Sequence, residues 1–304
     1  MKRVTLTGAT GRVGSLIVAE LIARGDEVTV LSRNPDKARA TLGEAARAVA
    51  WDPLAGPAPA DALAERDAVV HLAGEDIAQR WNDDALHRIR ESRELGTRNL
   101  VAGLRAAEPR PGALVSASAV GYYGPRPEPI DEDTPPGDDV LADVCVAWER
   151  EVLEAEPLGL RVVRVRTGVV LDRHGGALEK MLLPFRLGVG GPVAGGRQPM
   201  PWIHLGDVVG IYLRAIDDDA WAGAVNATAP QPVTNREFSR ALGRALHRPA
   251  FVPVPGFAIR LLYGGMAKLV VEGQNALPRR TIELGYTHQH PDLDEALRSA
   301  LDTT

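Results

Sequence analysis

Glycines at fixed spacing near the start of the chain have the clearest chemical meaning in this sequence. Residues 8–14 read Gly-Ala-Thr-Gly-Arg-Val-Gly. They directly follow residues 3–7, which are predicted to form a short buried strand, and apolar residues then recur with helical spacing. A strand, a glycine turn and a helix N-terminus bind pyrophosphate, because glycines admit it to the backbone and free N–H groups favour its charge. A tight turn without a ligand is the alternative. The cofactor contacts predicted here are Gly8, Thr10, Gly11, Arg12, Val13 and Gly14.

The end of the second predicted strand indicates which dinucleotide is bound. Many such folds carry an acid here for the ribose hydroxyls, but residues 28–31 are followed by Ser32 and Arg33. An acid would repel a 2′-phosphate by about 4 kcal/mol at close range, whereas the planar donor fork of arginine suits phosphate. We therefore predict NADP(H), with Arg12 as a second positive charge. The alternative is that both arginines are solvated surface residues.

Alternating strands and helices must position these residues. Helical periodicity is found at residues 83–106 and 139–156, and strand-like apolar runs lie between such segments, at 28–31, 48–51, 68–72, 113–116 and 160–165. This alternation predicts an α/β fold, a Rossmann-type doubly wound parallel sheet with ligands outside the carboxyl ends of its strands.

The second half of the chain has a different texture, which predicts a smaller C-terminal substrate lobe. We assign residues 1–172 to an NADP(H)-binding domain, to which 202–228 return, and residues 173–201 and 229–304 to the lobe. Within it we expect a flexible glycine-rich loop over a pocket at 188–196, and an amphipathic or buried helix at 257–271.

Composition excludes several classes of partner. The net charge of the 304 residues is −5, which argues against nucleic acid. Cys145 is the single cysteine, so that no intrachain disulfide can form and a reducing, cytoplasmic location is expected. No apolar run approaches the ~18 residues of a membrane span. The expected partner is a small-molecule substrate, and the assembly to consider is a homodimer.

Several later segments carry a family resemblance. Residues 70–74, 116–124 and 202–208, with the glycine run, resemble the extended short-chain dehydrogenase/reductases, which include sugar-nucleotide epimerases and dehydratases. Within this family the chain resembles one atypical subgroup, called epimerase family proteins, which has an extra C-terminal domain of unknown function. The residues that carry the resemblance to this subgroup are Gly74-Glu75, Arg80-Trp81, Ser92-Arg93, Cys145-x-x-Trp148-Glu149, Gly273-Gln274 and Leu277-Pro278.

The resemblance also implies cofactor contacts beyond the glycine run. Asp52, after the third strand, is expected to meet the adenine. The remaining expected contacts follow the fourth and sixth strands and are Leu72, Ala73, Gly74, Thr167, Gly168 and Val169.

Catalysis in the wider family rests on a Ser or Thr, a Tyr and a Lys four residues later. Ser118 matches the serine, but counting back from Glu149 places Cys145 at the lysine position and Leu141 at the tyrosine position. A tyrosine with an unperturbed pKa near 10 needs a neighbouring lysine to act as a base near neutrality. Losing positioned proton transfer typically costs about 10²–10⁴-fold in rate. Standard epimerase chemistry is therefore not expected.

Other residues are candidates for the missing roles. Tyr122 and Tyr123 are predicted proton donors, with pocket walls as the alternative. Glu75, Lys180 and Trp202 are predicted substrate contacts. The alternative for Glu75 is a capping or salt-bridge role. Lys180 could instead lie on a solvated helix face, and Trp202 on a strand in the core. Cys145 is expected to be a core residue, and no metal site is predicted because the histidines near the C-terminus are isolated.

Three functions follow from these residues. The first is an NADP(H)-dependent oxidoreductase acting on a carbonyl or hydroxyl compound, small or nucleotide-linked, whose oxygen Ser118 polarises. The second, from another class, is a catalytically weak or inactive NADP(H)-binding protein that senses redox state. A sugar-nucleotide epimerase is third, because re-reducing a keto intermediate requires controlled proton exchange.

Overall fold

A central parallel sheet organises the chain, whose computed structural model describes residues 1–265 and 267–302. Buried β-branched and apolar runs form most of the strands. The strands of the described residues are β1 (Arg3–Thr7), β2 (Glu27–Ser32), β3 (Ala46–Ala50), β4 (Ala68–His71), β5 (Ala113–Ala119), β6 (Arg126–Ile130), β7 (Arg161–Thr167), β8 (Val169–Leu171), β9 (Pro199–Met200), β10 (Trp202–His204), β11 (Gly223–Ala227), β12 (Val233–Thr234) and β13 (Gln274–Ala276).

Helices connect the strands. Two short 3₁₀ helices lie at Val120–Tyr123 and Glu156–Leu158. The α-helices of the described residues are α1 (Arg12–Ala23), α2 (Pro35–Leu42), α3 (Ala60–Leu63), α4 (Asp83–Ala106), α5 (Val140–Leu153), α6 (Gly176–Arg186), α7 (Leu205–Asp217), α8 (Asn235–Ala245), α9 (Gly256–Tyr263), α10 (Ala267–Val271), α11 (Arg279–Glu283) and α12 (Leu293–Asp302).

Most predicted elements are confirmed, and one is wrong. The six strands and the helices predicted at 83–106 and 139–156 are present within a few residues of the predicted bounds. Residues 257–271, however, form two short helices, α9 and α10, instead of one. Helix α9 ends before Gly264, whose φ of +61° lies outside the range of a right-handed helix.

The order of strands in the sheet is β11-β7-β5-β4-β1-β2-β3, and every pairing is parallel. The chain runs outward from β1 to β3 and then returns to the other side of β1 as β4. The carboxyl ends of β1 and β4 therefore flank the topological switch point, where doubly wound sheets bind their ligands. The predicted fold class is confirmed.

Strand side chains alternate between two hydrophobic layers. Val70 of β4 packs in the layer of α1 and α7, while Val69 packs in the layer of α4 and α5. Side chains of a strand point to opposite faces in turn, so a strand that is apolar throughout must be covered on both faces.

A third hydrophobic cluster lies outside these layers. It combines side chains of α6, α8, β10 and α12, among them Phe185, Phe238 and Leu297. Not all of the predicted lobe belongs to it, because β13 pairs with β6 and Tyr286 packs in the layer of α1 and α7. The domain boundaries stay a prediction. No helix among the described residues is long and apolar enough to cross a membrane.

Candidate functional site

Two glycines of the turn between β1 and α1 are required by close backbone contacts. Gly8 has φ of +67°, and a Cβ there would lie 2.6 Å from the carbonyl carbon of Leu72. A Cβ on Gly14 would lie 2.5 Å from the carbonyl oxygen of Gly8. Any side chain would therefore displace the turn from the end of β4 or from α1. We call residues 8–14 the cradle.

The cradle also leaves backbone donors at the start of α1. Gly11 is the N-cap residue, and no side chain caps the helix. The N–H groups of the first turn, which includes Arg12, Val13 and Gly14, have no partner within the helix. Together with the helix dipole they form a site for an anion. This geometry fits the pyrophosphate of a dinucleotide.

A buried hydrogen-bond chain supports the cradle from beneath. Thr7 Oγ1 accepts from the backbone N–H groups of Leu72 and Ala73, at 3.2 Å each, and lies 2.7 Å from His71 Nδ1. Thr7 therefore donates to Nδ1, and we assign the ring proton to Nε2, which donates to Thr97 Oγ1 at 3.0 Å. Burial, followed by the charge of Arg93, lowers the pKa of His71 to about 4. The imidazole is thus neutral.

The residues predicted to contact the adenosine end of the cofactor lie at the carboxyl ends of β2 and β3. Ser32 Oγ lies 3.2 Å from both the N and the O of Asn34. Arg33 is exposed, and no carboxylate of residues 1–265 or 267–302 forms an ion pair with it. Asp52 is exposed after β3, where its Oδ1 accepts from the N–H of Leu54. The Arg33 guanidinium is therefore available to an anion.

Arg12, in contrast, already has an anionic partner. Its Nε and Nη2 donate to the carboxylate of Asp172, at 2.6 and 3.1 Å. Burial raises the pKa of Asp172, but the hydrogen bond from Arg12 outweighs it, so the net shift is downward. This bidentate pair ties the cradle to the segment after β8, and the charge of Arg12 is largely neutralised.

The remaining cofactor candidates lie in tightly packed backbone. A Cβ on Gly168 would lie 2.1 Å from Pro201 O, and the N–H of Val169 donates to the same oxygen. Thr167 Oγ1 donates to Val165 O at 3.3 Å. A Cβ on Gly74 would lie 3.3 Å from the guanidinium carbon of Arg93. The cofactor roles of these residues stay predictions.

Ser118 lies in a group of buried polar side chains. Its Oγ donates to Glu149 Oε1 at 2.7 Å, and Glu149 also accepts two hydrogen bonds from Arg166 and one from Arg164, at 2.8–2.9 Å. Burial raises the pKa of Glu149, but hydrogen bonds and charge from the two arginines lower it overall. We call Ser118, Tyr123, Glu149, Arg164 and Arg166 the buried charge cluster.

The two tyrosines differ in their surroundings. Tyr123 is fully buried, donates to Asn226 Oδ1 at 2.7 Å and accepts from Arg166 at 3.0 Å. Burial raises its pKa to about 12. Tyr122 is half-buried, and its ring centroid lies 3.5 Å from the Arg166 guanidinium carbon. Two of the three predicted catalytic hydroxyls, those of Ser118 and Tyr123, are thus bound within the cluster.

Arg93 of α4 and Cys145 of α5 also lie in packed surroundings. Arg93 stacks over Trp148, 5.0 Å from the ring centroid, and donates to the carbonyl oxygens of Glu75 and Ile89. Burial lowers its pKa. Burial raises the pKa of Cys145 to about 12, and the thiol is in the core as expected.

The predicted substrate residues have different surroundings. Glu75 accepts from Gln79 and lies 3.7 Å from Arg88. Lys180 donates to Ala78 O, which joins α6 to the segment after β4. Trp202 is 1% exposed and donates to Gln231 O, as the core alternative describes.

Cavities in the described part of the chain include the following two. One, of about 750 Å³, adjoins the 188–196 segment and is lined by Pro192, Arg236, Arg240, Gly243, Arg244, His247, Arg248, Ala250 and Phe251. The other, of about 180 Å³, is lined by Trp81, Leu86, Pro125, Asp139, Val140, Leu141, Gly265, Lys268 and Gln274. We call the latter the apolar pocket.

Three residues of the site were not predicted from the sequence. Glu149 served only to align the family's lysine position, and Arg166 was hidden in a strand. Lys268 lies within the helix predicted at 257–271 and was given no role. Two signals were available: arginines alternate with valines in β7, and Lys268 is one of only four lysines in the chain.

A glycine cradle at the switch point of a seven-stranded parallel sheet defines a Rossmann-type nucleotide-binding protein. The chain belongs to the NAD dependent epimerase/dehydratase family, whose family profile matches residues 4–227. A second profile, described as a domain of unknown function (DUF1731), matches residues 254–300. The resemblance seen in the sequence is confirmed.

Similar proteins span the whole chain. Epimerase family protein SDR39U1 from Homo sapiens is 40% identical over 303 residues, covering 97% of this chain and 98% of that protein. Epimerase family protein YfhF from Bacillus subtilis is 36% identical over 296 residues, covering 97% of this chain and 96% of that protein.

Solved structures give the same result. Human SDR39U1 was crystallised with NADPH, the cofactor predicted here, and is 38% identical, with a TM-score of 0.87 over 99% of this chain and 100% of that one. A nucleoside-diphosphate sugar epimerase from Corynebacterium glutamicum is 34% identical, with a TM-score of 0.79 over 99% of this chain and 58% of that one.

Proposed function

We propose that the chain is an NADP(H)-dependent oxidoreductase that interconverts a carbonyl and a hydroxyl compound. The observation that carries this proposal is the cradle together with an exposed Arg33, which pairs with no carboxylate among the residues that the structure describes. The NADPH in the human relative, which is similar along its whole length, supports the same cofactor.

In this proposal each region has one task. The first-turn N–H groups of α1 hold the pyrophosphate, and Arg33 pairs with the 2′-phosphate. Ser32 carries no charge and admits that phosphate. The bound nicotinamide supplies the hydride. The protein's own contribution is to bind the substrate beside it, exclude water and supply a proton.

The proton donor decides between this function and a second one. Ser118 donates to Glu149 and Tyr123 donates to Asn226, so neither hydroxyl proton is aimed at an open cavity. This observation favours the second candidate, an NADP(H)-binding protein with weak or no catalysis. Tyr122, outside the buried charge cluster, stays the predicted donor for the oxidoreductase.

Cofactor selection is tested by fluorescence titration with NADPH and, in parallel, with NADH. We expect Arg33→Ala to weaken NADPH binding about 10–100-fold, the range for a hydrogen bond to a charged group, and to leave NADH binding unchanged. Arg47→Ala, on the neighbouring strand β3, is the matched control and should alter neither. Equal loss for both cofactors would refute the role of Arg33.

The two candidate functions are separated by turnover. Steady NADPH oxidation with a carbonyl substrate, reduced at least about 100-fold in Tyr122→Phe, would establish the oxidoreductase. Tight NADPH binding with no turnover across a carbonyl screen would favour the binding protein. Failure to bind either cofactor would exclude both.

A further inference from the structure

The apolar pocket joins the two regions that match different family profiles. Trp81 follows β4 and Leu141 lies in the first turn of α5, both within residues 4–227. Gly265, Lys268 and Gln274 come from the C-terminal domain, residues 254–300. The pocket is therefore incomplete without a domain that has no assigned role.

Contacts on both sides fix the position of Trp81. Its Nε1 donates to Ile77 O at 2.9 Å, and its backbone forms a bridge with Gly264. A Cβ on Gly265 would lie 3.5 Å from the indole ring. The C-terminal segment thus packs directly on one wall of the pocket.

Size and lining limit what the pocket can hold. Its volume of about 180 Å³ corresponds to about six water molecules in the liquid. Pockets for drug-sized ligands occupy about 300–1,000 Å³. Most of its lining is apolar, with Trp81, Pro125 and Leu141 as examples. Such a space suits a compact apolar group and excludes a whole sugar nucleotide.

The polar groups of the pocket also limit the charge of its ligand. Lys268 Nζ lies 3.3 Å from Asp139 and 3.8 Å from Glu272, and its side chain is 49% exposed. Asp139 is itself held in place, because it accepts from the N–H of Ala142 as the cap of α5. Two carboxylates balance the ammonium and would repel an anion. A lysine ammonium can only donate, so a neutral acceptor oxygen is the matching ligand group.

We propose that the substrate of this site is a compact, largely apolar aldehyde or ketone, and that Lys268 of the C-terminal domain donates a hydrogen bond to its carbonyl oxygen. Trp81 and Leu141 enclose the apolar part. This inference rests on the proposed function for the reaction, while the size and polarity of the ligand follow from the pocket alone.

The test is a ¹⁹F NMR binding titration of 4′-fluoroacetophenone with the full chain, with and without saturating NADPH. Lys268→Met keeps an apolar stem of similar length and removes the donor, and Leu141→Trp fills the pocket. Lys2→Met removes a lysine at the amino-terminal end of the sheet and is the matched control. UDP-glucose serves as the competing probe. Circular dichroism and the NADPH titration verify that each variant is folded.

The proposal expects the ketone to bind, Lys268→Met to weaken it about 10-fold, Leu141→Trp to abolish binding and Lys2→Met to change nothing. Unchanged affinity in Lys268→Met would overturn the role of the lysine. Displacement of the ketone by UDP-glucose, or no binding of the ketone, would overturn the substrate class. Because NADPH binding is measured separately, failure of the substrate class leaves the proposed function standing. Loss of NADPH binding by the wild-type chain would refute that function instead.

Discussion

The cradle and the buried charge cluster lie at the same edge of the sheet but are built on different principles. The cradle is backbone: its geometry depends on glycines at most six residues apart in sequence, and on the nearby end of β4. The buried charge cluster is side chains, and its bonds join Ser118 to Glu149, 31 residues apart, and Tyr123 to Asn226, 103 residues apart. Local backbone geometry shapes the cradle, whereas partners distant in sequence decide whether the hydroxyls of Ser118 and Tyr123 are free.

The largest expected effect is on the cradle. Gly8→Ala places a Cβ 2.6 Å from the Leu72 carbonyl carbon, so the turn must move and NADPH binding should be lost in a fluorescence titration. The left-handed conformation adds about 1–2 kcal/mol of strain. Gly25→Ala is the control, since Gly25 has φ of +82° and no atom within 4 Å of its Cβ position. Equal NADPH affinities in the two variants would contradict the close-contact argument.

A substitution in the buried charge cluster should separate stability from cofactor binding. Glu149→Gln leaves two arginine charges without their carboxylate, which typically costs about 3–5 kcal/mol of unfolding free energy. Asp294→Asn removes an exposed partner of Arg244 and should cost at most about 1 kcal/mol. Urea unfolding measures both. The folded Glu149→Gln protein should still bind NADPH, and lost binding would mean that the two regions are coupled.

The two regions should also respond to different ranges of pH. The buried His71 beneath the cradle has a pKa of about 4, against about 6.5 when unfolded, so protons bind the unfolded state first. Stability from this histidine is complete above pH 6.5 and falls towards pH 4, by up to about 1.4 kcal/mol per pH unit. Glu149, whose pKa is lowered, loses its contribution only below the ordinary carboxyl range.

His204 provides a variant for this measurement. Its pKa is also lowered to about 4, by burial and then by His290, and its Nδ1 accepts from the N–H of Gly206 as the cap of α7. Asparagine is a good N-cap residue, so His204→Asn should keep the cap. Urea unfolding at several pH values between 7 and 4 gives the change of the unfolding free energy with pH. In His204→Asn this change should correspond to about one proton fewer than in the wild type. An unchanged pH dependence would refute the neutral assignment of His204.

The smallest expected effect concerns the pair that covers the cradle. Asp172→Asn frees Arg12 for the cofactor phosphates, so NADPH affinity should rise a few-fold and become more sensitive to salt. Asp26→Asn removes the acid paired with Arg24 at the other end of α1 and is the control. If the Asp172→Asn affinity falls, Asp172 positions Arg12 for the cofactor instead of competing with it.

Much of the fold was predictable, because the local periodicity of apolar residues indicates strands and helices. The α4 bounds were predicted to the residue, and the six central strands within a few residues. The predicted helix at 257–271 failed where Gly264 adopts positive φ to meet Trp81, a contact that the sequence does not reveal. Likewise, the end of β5 placed Ser118 in a promising position, but only folding brought Glu149 to its hydroxyl.

The class of protein and its cofactor could be predicted from sequence alone, because a glycine turn and the absence of an acid after β2 are features of short stretches of chain. Tertiary structure alone decided which groups are free to react. It bound Ser118 and Tyr123 into a buried network, paired Arg12 with Asp172 across 160 residues, and brought Lys268 beside Leu141. A buried polar group must find a partner wherever the fold supplies one, and that partner cannot be read from its neighbours in sequence.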